Sequence, residues 1–447
     1  MSGLDLVMRA ERAVVDGAPA PYSIGVAGGR VVAVEPGLDA LADAGAARHA
    51  QLGSDVVLLP GLVDTHVHLQ DPGNTEWEDF ESATRAAAAG GITTLVDMPL
   101  DSVPVTVSLD ALEVKRSQAR GRVRVDVGFW AGVTPTNLAE LAGLHDAGVM
   151  GFKCFLANTG LPEFPPVDVA QMRSAMAELA RLDALLIVHA EDAGEIDRQP
   201  EASTRRYLDF LASRPKQIEN VAVTAVIDAA RETGGRAHVL HLSSGDGVSL
   251  LAAAQRAGVP VTAETCPHYL ALTAEEVPDG ATEFKTAPPI REAANNQRLW
   301  DGLADGTIGL VVSDHSPCTP DMKHVHSGDF GGAFGGSASL QLTLPIVWTA
   351  ARNRGFGIED VARWMSTGPA GLTRMRHKGR IAVGYDADFC VLAPEETFVV
   401  DPDRLHHKQP LTAFAGRTLA GVVRQTWLRG EPVGDTPRGE LLDRRTA

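Results

Sequence analysis

Between about residues 59 and 378, short apolar runs alternate with stretches of helical periodicity. Eight of the runs read as buried strands: LLPGLVDTHVH, TTLVDMP, VDVGFWAGV, GFKCFL, LLIVHAE, HVLHLSS, VPVTAETCPHY and IGLVVSDHS. Helical patterns such as FESATRAAAAG, VAQMRSAMAELARLD and VAVTAVIDAARETGG lie between them. Eight strand–helix alternations predict an α/β fold, and within that class a TIM-like (β/α)8 barrel. An open doubly wound sheet is the second choice. No GxGxxG or GxxxxGK[ST] motif follows any strand, so nucleotide binding has no support.

The two ends of the chain carry a different pattern. Residues 1 to about 58 alternate apolar and polar positions around the turn signals VVDGAP and GVAGGRVVAVEPG. They read as short antiparallel strands. The segments GRIAVGYDADFCVLAPEETFVV and TLAGVVRQTWLRGEPV look the same. Neither end alone has enough strands for a stable core. The prediction is one small β-sandwich domain built from both termini, 1–58 plus 379–447, beside a barrel domain at 59–378. The Gly-rich stretch GDFGGAFGGSASLQ is expected to be a mobile loop over the barrel mouth.

Composition narrows the partners. Apolar residues make up 44% of the 447, ample for a large core. A formal net charge of -17 argues against nucleic acid or an anionic membrane as the main partner. No apolar run approaches the roughly 20 residues of a spanning helix, so no membrane is expected. The start, MSGLDLVMRAERAVV, lacks a basic region followed by an apolar one. Cys154, Cys266, Cys318 and Cys390 are far apart and form no CxxC pair. A reducing cytoplasm is the expected compartment.

The strand ends carry the chemistry. In GLVDTHVHL, His66 and His68 are two apart and face the same side of a strand. Later runs release His189, His241 and Asp314. Neutral imidazole and carboxylate are the usual ligands of zinc and similar ions. Lys153, in GFKCFL, is the odd member, because a protonated amine has no lone pair to give. Burial can lower its pKa. The neutral amine could then take up carbon dioxide as a carbamate, an oxygen ligand able to bridge two metals about 3.5–4 Å apart. A surface or salt-bridged lysine is the other reading the residues allow. His238 is expected to face away from His241 in a structural role. His268, in CPHY, is a candidate for supporting the ligands from behind. His324, His326, His406 and His407 read as surface or loop residues.

The motifs PGLVDTHVHLQDPGNTEWEDF, AGGITTLVDMPL, GFKCFL, HAED, HVLHLSS, ETCPHYL, APPIRE, SDHSPC and KGRIAVGYDADF span nearly the whole chain. In this order the chain resembles the cyclic amidohydrolase branch of the amidohydrolase superfamily, and within it the allantoinases. The resemblance implies that His66 and His68 bind the more buried metal with Asp314. It implies that His189 and His241 bind a second metal, and that carboxylated Lys153 bridges the two. The implied cofactors are two divalent ions, zinc first, with cobalt, manganese or iron open, and carbon dioxide for the lysine. The barrel-plus-sandwich fold and a homotetramer are implied as well. Such a site lowers the pKa of bound water from about 15.7 towards about 7. A bridging hydroxide would attack an amide carbonyl, and Asp314 would carry its proton to the leaving nitrogen. The expected substrate is a small cyclic amide, and the expected reaction is (S)-allantoin to allantoate in purine breakdown.

Neighbouring positions bear on the choice of substrate. Dihydroorotases typically carry Arg where this chain has Gln70, and His where it has Cys318. Hydantoinases and dihydropyrimidinases typically carry Tyr where it has Asn158. Gln70, Cys318 and Ala287 of APPIRE are the expected substrate contacts. Asp101 departs from the Asn that allantoinases tend to have, and an extra carboxylate near the mouth could alter preference. Two alternatives stand beside this reading. One is a hydantoinase or dihydropyrimidinase acting on 5-substituted hydantoins or dihydropyrimidines. The other is a non-catalytic hydantoinase-like scaffold, which all six ligand types speak against.

Overall fold

The computed structural model describes residues 3–200 and 203–447. Five strands come first: β1 (Leu4–Ala13), β2 (Ala20–Ala27), β3 (Arg30–Pro36), β4 (Ala46–Leu52) and β5 (Val57–Pro60). The central strands follow: β6 (Leu62–Val67), β7 (Ile92–Asp97), β8 (Asp126–Phe129), β9 (Ala131–Gly132) and β10 (Phe152–Phe155). They continue as β11 (Leu185–His189), β12 (Arg236–Val239), β13 (Val261–Thr265) and β14 (Leu310–Val311). The last three are β15 (Phe389–Val399), β16 (Thr418–Leu428) and β17 (Glu431–Pro432).

The central strands are parallel and pair in chain order. β6, β7 and β8 form one run, and β9 to β14 form another. Only Trp130 separates β8 from β9, and its N–H donates to Asp97 O at 3.0 Å. Beyond β14, His315 bridges Val67 in parallel, and His68 N donates to His315 O at 2.8 Å. Pairing therefore passes through eight strand positions and returns to the first. Nearly every residue of these strands is buried, Arg236 and Thr262 excepted. That is the mark of parallel strands covered on both faces.

The covering helices follow from local signals. Asp79 caps Phe80–Ala89 by accepting from Ser82 N at 2.7 Å. Asp168 and Gln171 form a capping box on Val169–Arg181. That helix buries Met172, Ala175, Met176 and Leu179, spaced as one face of a helix requires. Lys216–Thr233 stops at Gly234, whose φ of 70° is left-handed.

The ends of the chain join in one sheet of order β17-β16-β15-β5-β1-β2-β3, with β4 also on β1. The antiparallel expectation fails at two edges, since β1 pairs with β4 and β5 in parallel. After the β2–β3 hairpin, residues 37–45 cross back before β4 begins, and such a crossover makes parallel pairing possible. Alternate residues of β5 and β15 serve two cores. Leu58, Phe389 and Val391 pack with Leu6, Met8 and Ile24 inside the terminal unit. Val57, Leu59, Cys390 and Leu392 pack against the central unit. Gly91, at φ 85°, permits this approach, since a Cβ there would lie 2.5 Å from Cys390 Sγ.

A buried charge cluster ties the units together. Lys378 Nζ lies 2.5 Å from Asp126, 2.8 Å from Asp386 and 2.7 Å from Asp388. Arg429 adds a second cation at 2.7 Å from Asp126. The final residues return to the central unit, where Leu442 N donates to Val127 O at 2.8 Å. Asp126 begins its strand, so the cluster sits at the opposite end from the residues that follow β6, β12 and β14. Among the described residues no helix is long and apolar enough to cross a membrane.

Candidate active site

The C-terminal ends of the central strands open into a cavity of about 280 Å³. His66, His68, Lys153, His189, His241 and Asp314 all line it. His66 lies within β6 and His68 just past it; Lys153 lies within β10; His189 ends β11. His241 and Asp314 stand two and three residues beyond β12 and β14, and both adopt left-handed backbone, at φ 34° and 47°. Gln70 and Asp101 do likewise, at φ 60° and 65°. Non-glycine residues in this region cluster where the surroundings hold strained backbone in place for function.

The first group is His66, His68 and Asp314, whose ligand atoms all lie within 4.8 Å of one another. Asp314 Oδ1 is 3.2 Å from His66 Nε2 and 3.9 Å from His68 Nε2. His66 Nε2 is buried and makes no hydrogen bond. Such an unsatisfied nitrogen costs about 1–3 kcal/mol, which a bound cation would relieve. In the second group, His189 Nδ1 faces His241 Nε2 at 2.9 Å. Burial pushes the pKa of His66 down to about 3 and that of His68 to about 4. Burial, with His189, His66 and Lys153 adding to it, also holds His241 well below the usual histidine range. His66, His68 and His241 are thus neutral, the form that binds a metal. The donor set fits divalent ions.

Lys153 is 1% exposed, with Nζ 4.8 Å from the centroid of the Phe155 ring. Among the described residues no carboxylate lies at ion-pair distance from it. The surface and salt-bridged readings therefore fall away. Burial lowers its pKa, while the Asp314, Asp101 and Glu264 charges pull the other way. Burial likewise raises the Asp314 carboxyl, against the pull of Lys153. Both groups are drawn towards their neutral forms.

Carboxylates stand behind three of the histidines. Glu264 Oε1 is 2.5 Å from His66 Nδ1, Asp101 Oδ2 is 2.8 Å from His68 Nδ1, and Glu191 Oε2 is 3.1 Å from His189 Nε2. Sequence reasoning missed Glu264 and Glu191. Glu264 lies within β13 and Glu191 two residues past β11, and both are buried. His238 does face elsewhere, to Glu264 at 3.0 Å and Thr262 at 2.7 Å. His268 is buried with both ring nitrogens unpartnered, and it lies near Cys266 and Asp314.

Of the expected substrate contacts, Ala287 lines the cavity, as does Asn158. Gln70 and Cys318 are buried but are not among the lining residues, and Gln70 Nε2 donates to Pro317 O at 2.9 Å. His407, expected at a surface or loop position, lies in a loop but is 5% exposed, its ring centroid 5.6 Å from that of His315. The Gly-rich loop reaches the mouth through Phe334 and Gly335.

The amidohydrolase family model matches residues 57–433. The chain is 54% identical to an allantoinase of Streptomyces avermitilis over 449 residues, covering 99% of this chain and 100% of that one. It is 44% identical to an allantoinase of Saccharomyces cerevisiae, covering 88% of this chain and 87% of that one. Among solved structures, the L-hydantoinase (dihydropyrimidinase) from Arthrobacter aurescens superposes with a TM-score of 0.89 at 31% identity, covering 98% of this chain and 97% of that one. A D-hydantoinase superposes with a TM-score of 0.85 at 26% identity, with 98% of each chain covered. With a family match across most of its length and donors of the right kind around one cavity, this chain belongs to the amidohydrolase family.

Proposed function

We propose that the protein is a metal-dependent cyclic amidohydrolase that opens the hydantoin ring of (S)-allantoin to give allantoate. The observation that carries the chemistry is the convergence of six donor side chains on one cavity. The similarity to allantoinases supports the choice of substrate. In this reading the eight central strand positions form a (β/α)8 barrel over 59–378, and residues 1–58 with 379–447 form the β-sandwich domain. The active species is a homotetramer in the cytoplasm.

His66, His68 and Asp314 would hold one divalent ion, and His189 and His241 a second, with zinc the first choice. Lys153, carboxylated by addition of its amine nitrogen to carbon dioxide with loss of a proton, would stand between them. Bound ions of this kind supply Lewis acidity, which activates water and polarises an amide carbonyl. Asp314 takes the proton of the attacking water and returns it to the ring nitrogen as the C–N bond breaks. Ala287 offers backbone groups to the ring, and Phe334 and Gly335 limit access of bulk water.

The hydantoinase reading is kept as the second one, because the Arthrobacter aurescens enzyme shares the fold so closely. One panel separates them. Zinc-loaded enzyme with bicarbonate is offered allantoin, hydantoin, dihydrouracil and dihydroorotate. Allantoin should show the highest kcat/KM. A clear lead for dihydrouracil or hydantoin would overturn the substrate while leaving the reaction class. Asp314→Asn should abolish turnover, and near-normal turnover would remove Asp314 as the proton carrier. A scaffold would hold no stoichiometric metal and hydrolyse nothing.

A further inference from the structure

Asp101 places a carboxylate in the cavity wall. The structure gives it a partner. Its Oδ2 accepts from His68 Nδ1 at 2.8 Å, and the residue is 7% exposed. The backbone there is left-handed, with φ 65°, and Asn74 Nδ2 clamps the Asp101 carbonyl at 2.7 Å. Asp and Asn tolerate this conformation better than most residues. The loop is therefore shaped and fastened so that one carboxylate meets the far side of one imidazole. With Nδ1–H committed to Asp101, the lone pair of His68 resides on Nε2, the nitrogen that faces Asp314.

We infer that Asp101 is the positioning residue of His68: it fixes the ring's tautomer and plane so that Nε2 is presented to a divalent cation. This rests on the reading of His68 as a metal ligand. Partners of this type are a general device of histidine metal sites, and their loss typically costs about 10–100-fold in metal affinity or activity. An asparagine could accept the same hydrogen bond without the charge. Asp101→Asn therefore separates charge from geometry, and Asp101→Ala removes both.

The test is chelator competition for zinc on the full-length wild type, Asp101→Asn and Asp101→Ala, with zinc stoichiometry and with kcat and KM for allantoin. Asp101→Ala should bind zinc about 10–100-fold more weakly, and excess zinc should restore much of its kcat. Asp101→Asn, nearly isosteric and so the variant that keeps the fold, should lose less. Asn74→Ala, which frees the loop, should shift zinc affinity in the same direction. Unchanged zinc affinity in Asp101→Ala would overturn the inference. So would a raised KM at full zinc occupancy, which would make Asp101 a substrate contact. A wild type that binds no zinc would instead overturn the reading of the whole site.

Discussion

Glu264 grips His66 from the side away from Asp314: its Oε1 is 2.5 Å from Nδ1, while Asp314 Oδ1 is 3.2 Å from Nε2. The same carboxylate receives His238 Nε2 at 3.0 Å and the backbone N–H of His241 at 3.3 Å. One side chain on β13 thus ties β6 to β12. Burial alone would raise its pKa, but its contacts with His66 and His238 hold it at about 2. Glu264→Gln keeps the shape but must turn an NH2 group towards one of two histidines. We expect about 10–100-fold weaker zinc binding or activity. Zinc content after dialysis against a graded chelator series measures it, and retention equal to wild type would show that Glu264 serves only packing.

Lys153 is buried without a carboxylate partner, so its charged form is costly and its free amine is favoured. Metal-free protein stripped of carbon dioxide should recover little activity with zinc alone and much more with zinc plus bicarbonate. Labelled bicarbonate should give a carbamate carbon resonance in the wild type and none in Lys153→Ala. Full recovery without bicarbonate would mean that Lys153 contributes no carbamate.

What could be read from the chain followed from periodicity. His66, His68, Lys153, His189, His241 and Asp314 end or follow apolar runs, and parallel strands that pair in order deliver such residues to one place. The parallel β1–β4 edge was hidden, because a period of two is the same for either strand direction. Glu264 and Glu191 were hidden for another reason. A strand pattern tells which face a side chain takes, but not which distant histidine it meets. Gln70 shows a third limit. It follows His68 by two residues, and continued strand geometry would have put it in the cavity. Its φ of 60° turns it to Pro317 instead.

Lys378 answers three carboxylates at the end of the strands opposite the cavity. Burial alone would lower its pKa, but Asp388, Asp126 and Asp386 hold it well above the usual lysine range. Lys378→Met leaves Asp388 without its cation, although Arg429 still neutralises Asp126. Removing one partner of a buried ion pair typically costs about 3–5 kcal/mol. Denaturant titration should show a loss of that order, with kcat per folded molecule unchanged. A variant as stable as wild type would mean that apolar packing of β5 and β15 alone holds the units together.

Lys323 pins the loop at the mouth. Its Nζ donates to Lys285 O at 2.7 Å, Phe334 O at 2.8 Å and Gly336 O at 2.6 Å. Lys323→Met should free residues around Phe334, seen as faster proteolytic nicking of that loop and a higher KM. The lysine also leaves a signature in pH. Burial pushes its pKa down to about 8 from 10.5, with Cys318 and Glu283 pulling the other way. Between these values the unfolded chain holds more protons than the folded one, so this group makes stability rise with pH. Below about pH 8 the cost of burying its charge is felt in full. Urea midpoints at pH 7.5 and pH 9.5 should therefore show the wild type gaining relative to Lys323→Met as pH rises. Parallel changes in the two proteins would mean that Lys323 keeps its proton throughout, held by its three carbonyl partners.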